Sequence, residues 1–121
     1  MRTHESEEMY LETIYLLKKS RGTVRSVDVV EELGYAKSSV SRGVNLLQKR
    51  GYIEISHLTG DIEFTEEGLR KAESVYERHR VLTAALMKLG AGRELAENDA
   101  CRIEHIISPE MFEIIKKFAE N

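Results

Sequence analysis

The sequence contains a single cysteine and a single proline among 121 residues. One cysteine cannot close an internal disulfide, which fits a reducing cytoplasm. No apolar run is long enough to cross a bilayer. The polar, acidic opening Met1–Glu8 reads as neither a secretory leader nor a transit peptide. A basic excess is also missing: 18 Lys and Arg against 21 Asp and Glu give a net charge of −3. Taken globally, that balance speaks against duplex binding. The length suits one compact unit or two small lobes and excludes a large enzyme. Internal repeats, low-complexity runs and flexible linkers are likewise missing.

The local charge distribution points the other way. Between Leu33 and Ile53 there is no acidic residue, while Lys37, Arg42, Lys49 and Arg50 fall inside. Thr13 to Val27 is also free of acids and carries Lys18, Lys19, Arg21 and Arg25. Screening limits a charge's reach to roughly 8–10 Å, so a polyanion responds to these stretches more than to the net charge. On charge alone, two solvated helix faces explain them equally well.

Periodicity supplies the scaffold. Tyr10, Ile14 and Leu17 predict a helix over Glu8–Lys19. Ser26 is expected to cap a second helix, Val27–Leu33, with Val27, Val30 and Leu33 inward and Gly34 as its stop. Ser38 or Ser39 is expected to cap a third, Ser38–Arg50, with Val40, Val44 and Leu47 inward and Gly51 ending it. Two short helices joined by a glycine-bearing turn are the mark of a helix-turn-helix. Tyr52–Ile55 and Ile62–Phe64 then read as a hairpin with Gly60 near its tip. Thr65 caps a long helix to about Leu89, a further helix spans about Glu94–Ile107, and Ser108-Pro109 opens a terminal helix. Met111, Ile114, Ile115 and Phe118 form an apolar stripe on that last helix, which needs a cover. The expected fold is mainly α: a winged helix-turn-helix with a two-stranded wing over residues 1–64, then an all-helical region over 65–121. Two-fold pairing of such units favours a homodimer.

The third helix is the expected DNA reader. Ser38, Ser39 and Ser41 offer short donors, Lys37 a phosphate partner, and Arg42 a guanidinium able to bind guanine bidentately from the outward face. Arg25, Lys49 and Arg50 are expected on phosphates. The most chemically loaded stretch is Asp99-Ala-Cys101-Arg-Ile-Glu104-His105, where a thiolate, a carboxylate and an imidazole recur at i, i+3 and i+4 on one helix face. Those are three metal-ligand types, although a buried cysteine beside a locally paired Glu and His accounts for them equally well. Met9 and Glu12, at i and i+3 on the first helix, offer a thioether and a carboxylate. A thiol-redox winged-helix regulator built on Cys101 and a small metal-assisted hydrolase using Glu104 as base are the rival readings. Nothing suggests a small-molecule substrate region, so an enzyme is not expected.

Several motifs occur in order and at matching spacing: Met9-Tyr-Leu-Glu-Thr-Ile-Tyr15, Ser38-Ser-Val-Ser41, Phe64-Thr-Glu-Glu-Gly68, Arg78-His-Arg80 and Asp99-Ala-Cys-Arg-Ile-Glu-His-Ile-Ile-Ser108. Together they resemble the diphtheria toxin repressor and manganese transport regulator family, over nearly the whole chain. The resemblance implies a dimeric, cytoplasmic winged-helix repressor that binds operator DNA when a divalent metal joins its first helix to its dimerisation helices. Carried over by position, the iron-type primary site is Met9, Cys101, Glu104 and His105. His79 matches a second-site ligand, Glu12 a carboxylate of the manganese branch, and Arg42 a base-reading position.

Three departures stand out. Thr83 occupies the place of a second-site glutamate, Glu97 that of a histidine, and the chain stops before the C-terminal β-barrel of longer members. The second site is therefore either absent or rebuilt from His79, Glu12 and Glu97. The soft donors Met9 and Cys101 favour Fe(II), Glu12 keeps Mn(II) close behind, and later divalent ions can fill such a site in vitro.

Overall fold

The computed structural model describes residues 3–121, with side chains from Glu7 onward; Met1 and Arg2 of the polar opening lie outside the described residues. The elements run α1 (Thr3–Arg21), α2 (Ser26–Leu33), α3 (Lys37–Lys49), β1 (Ile53–Ile55), β2 (Ile62–Phe64), α4 (Glu66–Lys88), α5 (Arg93–Ile103) and α6 (Pro109–Glu120). This is the mainly helical winged helix-turn-helix architecture that the periodicity predicts. The chain divides into two compact units, residues 1–73 and 74–121, with α4 running through the division.

The first unit is organised by apolar stripes at helical spacing. Tyr10, Leu11, Ile14 and Leu17 of α1, Val29 of α2, and Val40, Val44 and Leu47 of α3 are buried together with Val24, Ile53, Ile62 and Ala72. The strands are antiparallel, pairing Ile53 with Phe64, Glu54 with Glu63 and Ile55 with Ile62. The Val24 carbonyl accepts from the Ile62 amide at 2.8 Å, so the segment before α2 extends the wing. Ser56 Oγ accepts from the Leu58 and Thr59 amides, and Gly60 takes a left-handed φ of 79° to turn the hairpin. Thr65 Oγ1 accepts from the Gly68 amide at 3.0 Å, the cap expected for α4.

Five local expectations need correction. α1 begins at Thr3, ahead of Glu8, because its first turns carry no apolar stripe for periodicity to detect. Ser26 does not cap α2: Arg25 holds the cap position, and Asp28 Oδ2 accepts from the Arg25 amide at 2.8 Å. The inward face of α2 is also rotated by about one residue, leaving Val27 52% exposed and Val29 fully buried. Ser38 and Ser39 lie inside the first turn of α3, whose cap is Ala36 without a side-chain bond. In the second unit α5 stops at Ile103, four residues early. Pro109 requires an extended Ser108 before it. The Arg78 guanidinium takes the carbonyls of Glu104 and Ile107 at 3.0 and 3.3 Å, where a continuing helix would use backbone amides.

The second unit buries Val75, Val81, Leu82, Ala85, Ala96, Ala100 and Phe112. Arg78 lies over the Phe112 ring at 5.7 Å, and Lys116 Nζ meets Glu77 Oε2 at 3.0 Å, tying α6 to α4. Ser108 caps α6, its Oγ accepting from the Met111 amide at 3.1 Å. The apolar stripe of α6 stays outside: Met111, Ile114 and Phe118 are exposed, and the buried residue is Phe112.

One buried charge in the first unit gave no signal in the sequence. The Glu7 carboxylate is only 1% exposed and meets Arg50 Nε at 3.2 Å and Lys71 Nζ at 3.8 Å. Arg50→Ala removes the nearer cation and is expected to cost about 2 kcal/mol in urea unfolding; replacing Glu7 and Arg50 together by Met should recover most of it. A single variant as stable as the wild type would contradict this pairing. Gly68 packs so closely on the Tyr52 carbonyl that a Cβ has no room. Gly68→Ala is therefore expected to lower stability by about 2 kcal/mol, and an unchanged denaturant midpoint would refute that contact.

Candidate metal centre and nucleic-acid interface

Glu104 sits just past the end of α5, as its C-cap, with no exposed surface. Its Oε1 lies 2.7 Å from His79 Nδ1 on α4, and its Oε2 lies 3.4 Å from His105 Nε2 in the following turn. Oε2 is buried and has no hydrogen-bond partner among the described residues. A carboxylate oxygen held this way is costly, by about 1–3 kcal/mol or more, unless something positive satisfies it. Two imidazoles beside one such carboxylate form a nitrogen and oxygen donor set that suits a divalent transition ion. These residues therefore fit the metal that the sequence motif implies.

The expected single-faced triad of Cys101, Glu104 and His105 is altered by the early end of α5. Cys101 remains on the helix with a free, exposed thiol, whereas Glu104 and His105 belong to the turn that follows. In the first unit Glu12 is buried, and Met9 is half-buried with its Sδ accepting from the Tyr35 hydroxyl at 3.5 Å.

His79 and Glu97 line one pocket of about 350 Å³ with Tyr76, Arg80, Thr83 and Arg93. Glu97 is exposed and lies 3.7 Å from Arg93, and the Thr83 hydroxyl is buried without a hydrogen-bond partner among the described residues. A threonine at this position supplies no carboxylate, and Glu97 already has a cation beside it.

On α3, Lys37, Ser38, Ser41, Arg42 and Lys49 are exposed. Ser39 is half-buried, and its carbonyl accepts from the Tyr10 hydroxyl at 3.4 Å. Burial pushes the Tyr10 phenol above its ordinary pKa, with Tyr35 adding to the effect and Arg42 opposing it, so Tyr10 stays a neutral donor. Tyr10 also packs against Gly43, where a Cβ would strike its ring. The N-terminal amides of α3 have no side-chain cap, which leaves them open to an anion. Arg25 lies 3.9 Å from Asp61, and Arg50 is engaged by Glu7. The sequence offered no signal for Glu7, because it sits in a solvated-looking acidic run.

Residues 2–60 match the family model for the iron dependent repressor N-terminal DNA binding domain. Residues 65–121 match that for the iron dependent repressor metal binding and dimerisation domain. An uncharacterized HTH-type transcriptional regulator of Methanocaldococcus jannaschii is 30% identical over 118 residues, covering 96% of this chain and 94% of that protein. The transcriptional regulator MntR of Escherichia coli is 32% identical over 111 residues, covering 92% of this chain and 71% of that one. The structure of the manganese regulator SloR shares the fold at a TM-score of 0.82 and 24% identity, over 94% of this chain. This chain spans 53% of that longer one. With both domain models matched in order along nearly its full length, the chain belongs to the iron-dependent repressor family of metal-responsive, DNA-binding transcriptional regulators.

Proposed function

We propose that this protein is a homodimeric repressor that binds operator DNA when Fe(II) is bound at Glu104. The observation that carries this reading is the buried Glu104 carboxylate, flanked by His79 and His105 and left with one oxygen unsatisfied. A bound divalent cation supplies there the positive charge that the carboxylate lacks. Glu104, His79 and His105 would hold it, and the family resemblance adds Cys101, Met9 and Glu12 as ligands. The first two are soft donors, which iron accepts more readily than manganese. Glu97 is assigned with His79 to a weaker second position.

Mn(II) is the second reading. It is favoured by the nitrogen and oxygen donors of His79 and Glu104, 2.7 Å apart, while the Cys101 thiol is exposed and Glu104 is buried. Other divalent transition ions are expected to occupy the site in vitro, since affinity alone favours later metals.

The regulatory step is linkage. The conformer in which these donors converge gains stability in proportion to its extra affinity for the ion. If the same conformer presents α3 to DNA, a coupling of about 1–3 kcal/mol changes operator affinity roughly 5–150-fold. Lys37, Ser38, Ser41, Arg42 and Lys49 are the proposed DNA contacts on α3, with Ser39 and Arg25 beside them. Arg50, which sequence reasoning placed on phosphate, is proposed as a lesser contact because Glu7 engages it. No step of this function needs a reacting substrate, so the protein is not an enzyme. Acting on genomic DNA is consistent with the cytoplasm, and no described helix is long and apolar enough to cross a membrane.

The exposed residues Ile114 and Phe118 line an apolar groove of about 340 Å³ with Leu82, Leu86, Leu89 and Ile103, the surface proposed to meet a second copy. In that case Ile114→Asp, at a side chain 61% exposed in the single chain, should leave helicity intact. Sedimentation should then report monomers. An unchanged dimer would exclude α6 from the interface. Anaerobic DNA selection with Fe(II) should yield a recognised sequence whose affinity falls at least about fivefold on chelation. Equal binding with and without chelator would refute metal control. If peroxide abolished binding in its place, the thiol-redox alternative through Cys101 would stand.

A further inference from the structure

The register of α3 carries information about the DNA sequence it would read. At about 100° per residue, the buried stripe Val40, Val44 and Leu47 fixes the direction of the core. Ser38, Arg42, Asn45 and Lys49 then lie within about 50° of the opposite direction, a stripe at i, i+4, i+7 and i+11. All four are exposed. Arg42, Asn45 and Lys49 also line a single shallow groove on the surface of the unit. Ser39 and Leu46 are turned to the flanks and half-buried.

Within that stripe the side chains have unequal information content. Lysine at the C-terminal end is a point charge suited to phosphate, and serine is short and permissive. Arginine and asparagine are the two that form bidentate pairs with single bases, arginine with guanine O6 and N7, asparagine with adenine N6 and N7. Asn45 makes no hydrogen bond or ion pair among the described residues, so both its amide groups are available. Three residues along a helix advance about 4.5 Å, close to one base-pair step of about 3.4 Å.

Resting on the operator-binding reading above, we infer that Asn45 is a specificity-determining residue. It reads an adenine one or two base pairs from the guanine read by Arg42 in each half-site. Lys49, on the same stripe, holds the adjoining phosphate and adds affinity without selectivity.

The test is anaerobic selection from randomised duplexes by the full chain in Fe(II), for the wild type and three variants. The wild type should enrich an adenine and a guanine within two base pairs, repeated with two-fold symmetry. Asn45→Ala should make the adenine position degenerate, with roughly tenfold weaker binding to the wild-type sequence and the guanine retained. Asn45→Arg should shift that position toward guanine, a gain that misfolding cannot imitate. Lys49→Ala should weaken all sequences alike and flatten the salt dependence by about one phosphate contact. A motif unchanged in Asn45→Ala and Asn45→Arg would overturn this inference while leaving operator binding in place. A wild type that enriches no sequence would overturn operator binding, and this inference with it.

Discussion

A carboxylate buried with one of its oxygens unsatisfied is the constraint on which the second unit turns. Glu104 has His79 on one side and His105 on the other, yet its Oε2 accepts no hydrogen bond among the described residues. Burying such a group without full compensation works against folding. Selection for stability alone would favour an apolar residue or an amide there. The local structure is nonetheless arranged to keep it: Arg78 holds the Glu104 and Ile107 carbonyls, and Pro109 forces the chain to turn. A site that is costly empty and satisfied by a cation makes its occupancy a stability signal, which is what a metal sensor needs.

The first unit solves a different problem. It must present one helix outward on a molecule with net charge −3. Apolar residues at Val40, Val44 and Leu47 fix the rotation of α3, and Tyr10 against Gly43 fixes its approach to α1. The acid-free stretch then places Lys37, Arg42 and Lys49 on the open side. Glu7 engages Arg50, the basic residue just past the end of α3, at 3.2 Å and offsets part of its charge. Global charge is thus a poor guide, because the field that a duplex meets is local.

Much of this was legible in the residues. The stripes Tyr10–Ile14–Leu17 and Val40–Val44–Leu47, the stops at Gly34 and Gly51, the Thr65 and Ser108 caps and the Ile62–Phe64 strand all have local causes, and the structure shows each. What stayed hidden depends on contacts distant in sequence. Val27 and Val29 are equivalent in hydrophobicity, and only packing chooses Val29. Ser26, Ser38 and Ser39 are good caps by propensity, but each helix starts one residue or more earlier than its serine suggests. The end of α5 depends on Arg78, twenty-six residues before Glu104, so the spacing of Cys101, Glu104 and His105 alone implied a helix face that the chain does not complete. Glu7 was invisible for the same reason, its cations being Arg50 and Lys71.

Metal control of this protein depends on Glu104 anchoring the ion. The direct measurement is an anaerobic equilibrium titration of Fe(II) into the wild-type protein and Glu104→Gln, a nearly isosteric change that removes the charge and one acceptor oxygen, with bound metal quantified at each point. The predicted result is tight binding by the wild type and a fall in affinity of roughly 100-fold or more in the variant, with its helical content unchanged. Equal affinity in the two proteins would contradict the account.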